Sequence, residues 1–204
     1  RIFNLETRQQ IAEFGHGDYV NSVAFSPDGK FLATGEGNEY GPGISRIFNL
    51  ETRQQIAEFG HGDDDYVNSV AFSPDGKFLA TGIGSYYRGG ATIFNLETRQ
   101  QIAEYDHRRG VLSVSFSPDG KYLATGCEDG KARIYDLGTN RESSSYVYGN
   151  QVAWSPVGNY LATSGSGKTQ IMNISTGAKH YLYDVEGTLA FSPDGRFLAI
   201  GDAI

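Results

Sequence analysis

The tetrapeptide Ser26-Pro27-Asp28-Gly29 separates two apolar, β-branched segments, residues 20–25 and 31–34. Proline presets φ within a turn and glycine accepts a positive φ, so this tetrapeptide predicts a tight turn between two strands. The same four residues recur at Ser73, Ser117 and Ser192, and the variant Ser-Pro-Val-Gly begins at Ser155. The five predicted turns are 26–29, 73–76, 117–120, 155–158 and 192–195.

A second signature predicts the third strand of each repeat. It occurs as Arg-Ile-Phe-Asn-Leu at 1–5 and 46–50, and in related forms at 92–96, 133–137 and 170–174. The polar turn 51–53 follows it, and 54–59 is the predicted fourth strand. Four strands at a period of roughly 40 residues are typical of a propeller blade. A solenoid or a stacked sandwich fits this period and strand count less well, and no segment shows the 3.6-residue apolar pattern of a helix.

Several of these motifs together resemble the WD-repeat family. They are the Gly15-His16 and Gly60-His61 pairs, the Ser-Pro-Asp-Gly turn, the Leu-Ala-Thr-Gly strand and the Ile-Phe-Asn-Leu strand. The Trp-Asp pair of the family is absent. Its positions hold Phe3-Asn4, Phe48-Asn49, Phe94-Asn95, Tyr135-Asp136 and Met172-Asn173. The resemblance implies a hydrogen-bond network of His, Ser or Thr, Asp and Trp within each blade.

Most repeats of this chain lack the residues for that network. The third full repeat comes nearest, with His107, Thr125 and Asp129 and with Tyr135 in place of Trp, whereas Ser145 stands at the His position of the fourth. We therefore expect hydrophobic packing to carry more of the stability than the resemblance alone would imply.

The repeats predict an all-β fold, a single domain spanning 1–204. The chain begins on a third strand, 1–5, and ends after a second strand, 197–201, around four whole repeats. We therefore expect a five-bladed β-propeller of four-stranded antiparallel blades whose last blade is closed by both termini, since closure removes exposed edges. A piece of a larger propeller, or a ring of several copies, stays possible.

Near-perfect internal duplication bears on the oligomeric state. Residues 1–18 are identical to 46–63, and 19–35 are identical to 66–82. Such copies can exchange places between molecules, so domain swapping is possible, although a closed ring predicts a monomer.

Composition and charge exclude several classes of partner. The net charge of −7 and the lack of a Lys/Arg cluster argue against nucleic acid, which needs a basic surface. No apolar run approaches the ~18 residues of a membrane helix. The single cysteine, Cys127, cannot form an internal disulfide, which fits a reducing compartment, and we expect a cytoplasmic location.

Motifs for catalysis, cofactors and metals are weak. The segment Ala162-Thr-Ser-Gly-Ser-Gly-Lys-Thr169 approximates a phosphate loop, but a strand rather than a helix follows it, which favours a hairpin turn. The histidines at 16, 61 and 107 share one repeat position, which favours a structural role. No convergent metal-ligand set appears, so we expect no catalytic residue, no metal and no cofactor.

Three irregular loops carry the functional prediction. They are residues 36–45, 83–91 and Asp63-Asp64-Asp65, and by strand direction all leave the same face of adjacent blades. Repeat proteins carry binding loops as insertions on one face, and Tyr and Arg are enriched at interface hot spots. The predicted partner-binding residues are Tyr19, Tyr40, Asp64, Asp65, Tyr66, Tyr86, Tyr87 and Arg88.

The leading hypothesis for function is therefore a non-enzymatic scaffold that binds a protein or peptide on this face. Three alternatives stay open: a carbohydrate-binding propeller with sugars between blades, a hydrolase with a site on the top face of the propeller, and loops that are merely tolerated insertions.

Overall fold

The computed structural model describes residues 1–38, 40–85 and 88–202. Within these ranges the chain is all β, as expected, and contains no helix, hence none that is long and apolar enough to cross a membrane. Two strands come first, β1 (Ile2–Phe3) and β2 (Gln10–Ala12). The strands of the first full blade are β3 (Val20–Phe25), β4 (Phe31–Glu36), β5 (Gly43–Asn49) and β6 (Gln55–Gly62).

Three more four-stranded blades and a final hairpin follow. The second blade contains β7 (Tyr66–Phe72), β8 (Phe78–Gly84), β9 (Gly89–Asn95) and β10 (Gln101–His107). The third contains β11 (Val111–Phe116), β12 (Tyr122–Cys127), β13 (Lys131–Asp136) and β14 (Arg141–Val147). The fourth contains β15 (Gln151–Trp154), β16 (Tyr160–Gly165), β17 (Lys168–Asn173) and β18 (Lys179–Tyr183), and the hairpin is β19 (Gly187–Phe191) with β20 (Leu198–Asp202). Each blade pairs its strands antiparallel in chain order, as predicted.

The Ser-Pro-Asp-Gly turn is fixed by its own side chains. The Ser26 hydroxyl donates to Asp28 Oδ1 (2.6 Å) and accepts from the Phe31 N–H (2.9 Å), while the Lys30 N–H donates to the same Asp28 oxygen (3.1 Å). The hydroxyl of Ser26, followed by the N–H of Lys30, lowers the pKa of Asp28 because both donate to its charged form. Gly29 takes the left-handed φ of 69°. The aspartates of these turns are thus accounted for by turn formation.

The turn between the third and fourth strands explains why asparagine replaces the family's aspartate. Asn49 Oδ1 accepts from the N–H groups of Glu51 (2.9 Å) and Thr52 (2.9 Å), which an amide oxygen does as well as a carboxylate. At the residue after Thr52 the chain must adopt a left-handed conformation. Arg53 has φ 59°, whereas the equivalent residue of the fourth blade is Gly177, with φ 70°.

Neighbouring blades are joined by close approach of their inner strands. A Cβ on Gly35 would lie 2.6 Å from Val67 Cγ1, and one on Gly82 would lie 2.8 Å from Val111 Cγ1, so only glycine fits. The Val70 N–H also donates across the same interface to the Ser22 hydroxyl (3.0 Å). The core therefore lies between blades, with valines of one strand pressed on the backbone of the preceding blade.

The expected fifth blade is not confirmed. Within the described residues β1–β2 and β19–β20 remain two separate two-stranded sheets, with no pairing between β1 and β20. The inner face of β3 is consequently uncovered: Val23 is 61% exposed, whereas its identical copy Val70 is 6% exposed. Ring closure by both termini stays a prediction, because the structure leaves those edges unpaired.

We expect Arg53→Gly to stabilise the protein. A left-handed residue with a Cβ costs roughly 1–2 kcal/mol, and glycine removes this strain. Glycine also loses more conformational entropy on folding, so the net increase in the free energy of unfolding is up to about 1 kcal/mol. The melting temperature should rise by about 2–4 °C for a chain of this size. Thr52→Gly is the matched control in the same turn, where φ is not positive, and it should lower the melting temperature. An Arg53→Gly protein that melts no higher than wild type would contradict the strain argument.

Candidate functional site

The three irregular connections lie at one end of the blades. Strands alternate in direction, so the connections β4–β5, β6–β7 and β8–β9 share one end and the Ser-Pro-Asp-Gly turns lie at the other. We call the end that carries these three connections the loop face. The strands extend further than predicted, so two of the connections shorten, to 37–42 and 85–88, while the third keeps its predicted bounds of 63–65.

The connection between β4 and β5 is held by two polar residues that the sequence analysis did not single out. The Asn38 amide donates to Asp18 Oδ1 and Oδ2 (both 2.7 Å), and the Asn38 side-chain oxygen accepts from the Tyr40 N–H (2.7 Å). The Gly37 N–H donates to the Tyr19 carbonyl (3.1 Å). These bonds present Tyr40 and Tyr19 to solvent, with 87% and 74% of their surfaces exposed.

An ion pair links the connections β6–β7 and β8–β9. Arg88 Nη2 lies 2.8 Å from Asp65 Oδ2, and Arg88 Nε lies 3.4 Å from Asp65 Oδ1. The Asp65 side chain is only 3% exposed and that of Arg88 is 63% exposed. The hydrogen bonds from Arg88 to Asp65, followed by the negative charge of Asp65, raise the pKa of Arg88. Asp65 therefore anchors the arginine and is itself hardly available to a partner.

Close backbone packing ties the first and second blades together at this face. A Cβ on Gly43 would lie 2.6 Å from the Asp65 carbonyl oxygen, and one on Gly84 would lie 3.0 Å from the Tyr66 ring. Tyr66 is thus packed on the strand beside it and partly buried. Both glycines are required by the fit, and they fix where Asp65 and Tyr66 stand.

The structure brings together some of the predicted residues and not others. Asp65, Tyr66 and Arg88 form one group, Tyr40 lies on the β4–β5 connection with Tyr19 just before β3, and Asp64 is exposed. The predicted residues Tyr86 and Tyr87 lie outside the described residues. The sequence analysis missed Asp18 and Asn38, although the sequence contained a signal for them. Each is a short polar residue that follows a glycine near a strand end, which is typical of turns capped by side chains.

Two of the histidines that share one repeat position hydrogen-bond with the blade that follows them. His107 ends β10, and its Nε2 lies 3.0 Å from the Thr125 hydroxyl and 3.3 Å from the Tyr135 hydroxyl of the third blade. Asp129 does not join them and pairs with Arg133. His16 precedes β3, and its Nδ1 lies 2.7 Å from Glu36 Oε1 of the first blade.

Glu36 builds a network that the sequence analysis missed. It is buried, accepts from the Thr34 hydroxyl (3.0 Å) and pairs with Arg46, which also donates to Glu58 (3.0 Å). The equivalent residue of the second blade is Ile83, so the network is particular to the first blade. Buried charges of this kind are tolerated only when paired and hydrogen-bonded, as they are here.

The phosphate-loop-like segment is the predicted hairpin. Lys168, at the start of β17, pairs with Asp184 (2.7 Å), and the Gly167 N–H donates to the Glu186 carboxylate. A strand rather than a helix follows, so no helix N-terminus is available for a phosphate. In the described part of the chain there is also no group of three or more His, Cys, Asp or Glu residues able to hold a metal.

Comparison with known proteins identifies the repeats. The family model described as "WD domain, G-beta repeat" matches residues 8–39, 53–87 and 99–136, which together make up just over half of the chain. The fourth blade and the final hairpin lie outside the matched ranges. A search of curated proteins finds no match.

We expect the free energy of unfolding to fall as the pH is lowered from about 6.5 to about 4. Burial lowers the pKa of His61 from 6.5 to about 4, against the opposing charge of Asp65, and burial also lowers the pKa of His107. As the pH falls, the unfolded chain binds a proton before the folded protein does. The stability present above pH 6.5 is therefore lost, by about 3 kcal/mol for His61.

Urea denaturation at several pH values measures this loss. His61→Gln should remove much of the pH dependence between about 6.5 and about 4, and His107→Gln should remove a further part. Equal slopes for wild type and His61→Gln would show that the imidazole of His61 is not held neutral by burial.

Proposed function

Because the chain belongs to the WD-repeat family, whose domains generally serve as non-enzymatic scaffolds for protein interactions, we propose that it binds a protein or peptide through the loop face. The observation that carries the proposal is the Asp65–Arg88 ion pair. It fixes an exposed arginine across two connections, at the face where Tyr40, on the β4–β5 connection, and Tyr19, just before β3, are exposed. Arginine and tyrosine are the residue types that most often dominate binding energy at interfaces.

The rigidity of the loop face supports binding at low entropic cost. Asn38 and Asp18 hold one connection by three hydrogen bonds, and Gly43 lets it pack against the Asp65 backbone. A side chain already held in place loses less freedom when a partner arrives, and so more of its contact energy appears as affinity.

The charge of the loop face favours a partner with basic residues. Asp63 and Asp64 are both exposed, whereas Asp65 is already paired with Arg88. Lysine or arginine of a partner could pair with the two exposed carboxylates and lie over the rings of Tyr19 or Tyr40. The net charge of −7 would also speed the approach of such a partner.

A peptide selection tests the proposal. Peptides selected from a random display library against the wild-type protein should be rich in basic residues, and their affinities can be measured by calorimetry. Tyr40→Ala and Arg88→Ala should each weaken binding tenfold or more, as expected for central contacts.

Matched controls lie at the opposite end of the blades. Lys30→Ala and Lys77→Ala remove exposed side chains from two Ser-Pro-Asp-Gly turns and should leave the affinity unchanged. The proposal would be overturned if the lysine variants no longer bound the selected peptides while Tyr40→Ala and Arg88→Ala bound them as wild type does. That result would assign binding to the opposite end of the blades.

We also propose a monomer in which the C-terminal hairpin covers β3 and β20 pairs with β1. Residues 1–4 are identical to 46–49, and in the first blade Ala33 pairs with Ile47. The equivalent pair would be Ala199 with Ile2.

The buried state of Cys127, whose pKa is raised by burial, is compatible with the cytoplasmic location that we propose for this protein.

Solution mass and a disulfide test ring closure. Light scattering should give a mass near 22.2 kDa, and an Ile2→Cys/Ala199→Cys variant should form a disulfide within one chain on oxidation. Ile11→Cys/Ala199→Cys is the control, with cysteines out of register. Disulfide-linked dimers, or a mass that is a multiple of the chain mass, would refute closure within one chain.

A further inference from the structure

A cleft of about 620 Å³ lies between the second and third full blades, at the end opposite the loop face. Its walls include the side chains of Ile93, Phe116 and Leu137, and Tyr105 and Asp136 line it as well. Small-molecule sites are typically clefts of this size, largely apolar and with a few polar groups. The cleft is thus a candidate site in its own right, separate from the loop face.

The chain contains an equivalent cleft that serves as an internal comparison. Between the first and second blades the same repeat positions enclose only about 300 Å³. That smaller cleft is lined by Glu97 and Arg99, and their equivalents in the larger cleft are Gly138 and Asn140. Shorter side chains at these two positions account for the larger volume.

A buried tyrosine lines the larger cleft. Tyr105 is 5% exposed, and its hydroxyl has no hydrogen-bond partner in the described part of the chain. The equivalent residue of the first blade is Phe59, which occupies the position without a hydroxyl. This hydroxyl is closed off from the cleft, so Tyr105 contributes only apolar surface to the wall.

The carboxylate of Asp136 supplies a polar group. Its Oδ1 accepts from the Thr139 N–H (2.8 Å) and hydroxyl (3.1 Å), and in the described residues Oδ2 makes no hydrogen bond. Asn95, the equivalent residue of the second blade, supports the same turn without a charge. The turn therefore does not need the negative charge of Asp136. The nearby Lys121 ammonium lies 3.4 Å from Asp119, which leaves Asp136 available for a cation.

We propose that this cleft binds a small aromatic amine. The ring lies against Ile93, Phe116 and Leu137, and the ammonium group donates to the free oxygen of Asp136. The proposal does not depend on the function assigned to the loop face, because none of its residues lies there.

Titration with tryptamine and phenethylamine, followed by NMR and calorimetry, tests the site. Both amines should give saturable binding, whereas indole-3-propionate, an acid of similar shape, should not bind. Asp136→Asn should weaken the binding of tryptamine about tenfold or more, since it removes the charged contact with the ammonium group. The substitution introduces the residue that the second blade carries at that position, and a thermal melt verifies that the fold is kept.

Two double variants separate the effect of volume from that of chemistry. Gly138→Glu/Asn140→Arg should abolish amine binding by filling the cleft. It is compatible with the backbone, because Asn140 and Arg99 share a left-handed φ, 54° and 58°. Glu97→Gly/Arg99→Asn should enlarge the other cleft without adding an amine site, since Asn95 remains. Failure of both amines to bind, or unchanged affinity in Asp136→Asn, would overturn the proposal.

Discussion

The close contact between the second strand of one blade and the first strand of the next determines most of this structure. Val67 lies against Gly35, and Val111 lies against Gly82, at distances that leave no space for a Cβ. Burying a valine side chain contributes about 1.5–3 kcal/mol, and the interface between the first and second blades and that between the second and third each gain it. The hydrogen bond from the Val70 N–H to the Ser22 hydroxyl crosses the first of these interfaces and fixes the position of one blade on the next.

Local features of the fold could be predicted from the sequence because they depend on neighbouring residues. The Ser-Pro-Asp-Gly turns and the strands beside them follow from the φ preferences of Pro27 and Gly29 and from alternation. The family model confirms the repeats. Strand ends were predicted less well. β5 begins at Gly43, three residues before the predicted start, because a glycine there packs on the Asp65 backbone of the next blade.

Features that depend on contacts between repeats could not be predicted from one sequence. Glu36 occupies a position held by Ile83 in the next blade, and nothing local indicates that His16 and Arg46 converge on it. On the loop face, the strand directions predicted that Asp65 and Arg88 would lie close together, but not that they would pair. The unpartnered hydroxyl of Tyr105 is likewise visible only once its surroundings are known.

The repetition of one interface has a consequence for how such a chain can lengthen. Since the same glycine and valine positions join the first blade to the second and the second to the third, a copy of such a blade already carries both halves of the joint and fits between these neighbours. The identity of 1–18 with 46–63 and of 19–35 with 66–82 is what such copying leaves behind. Copies can then diverge in their connections, as where Asp64 and Asp65 lengthen one of them, while the joints between these blades stay the same.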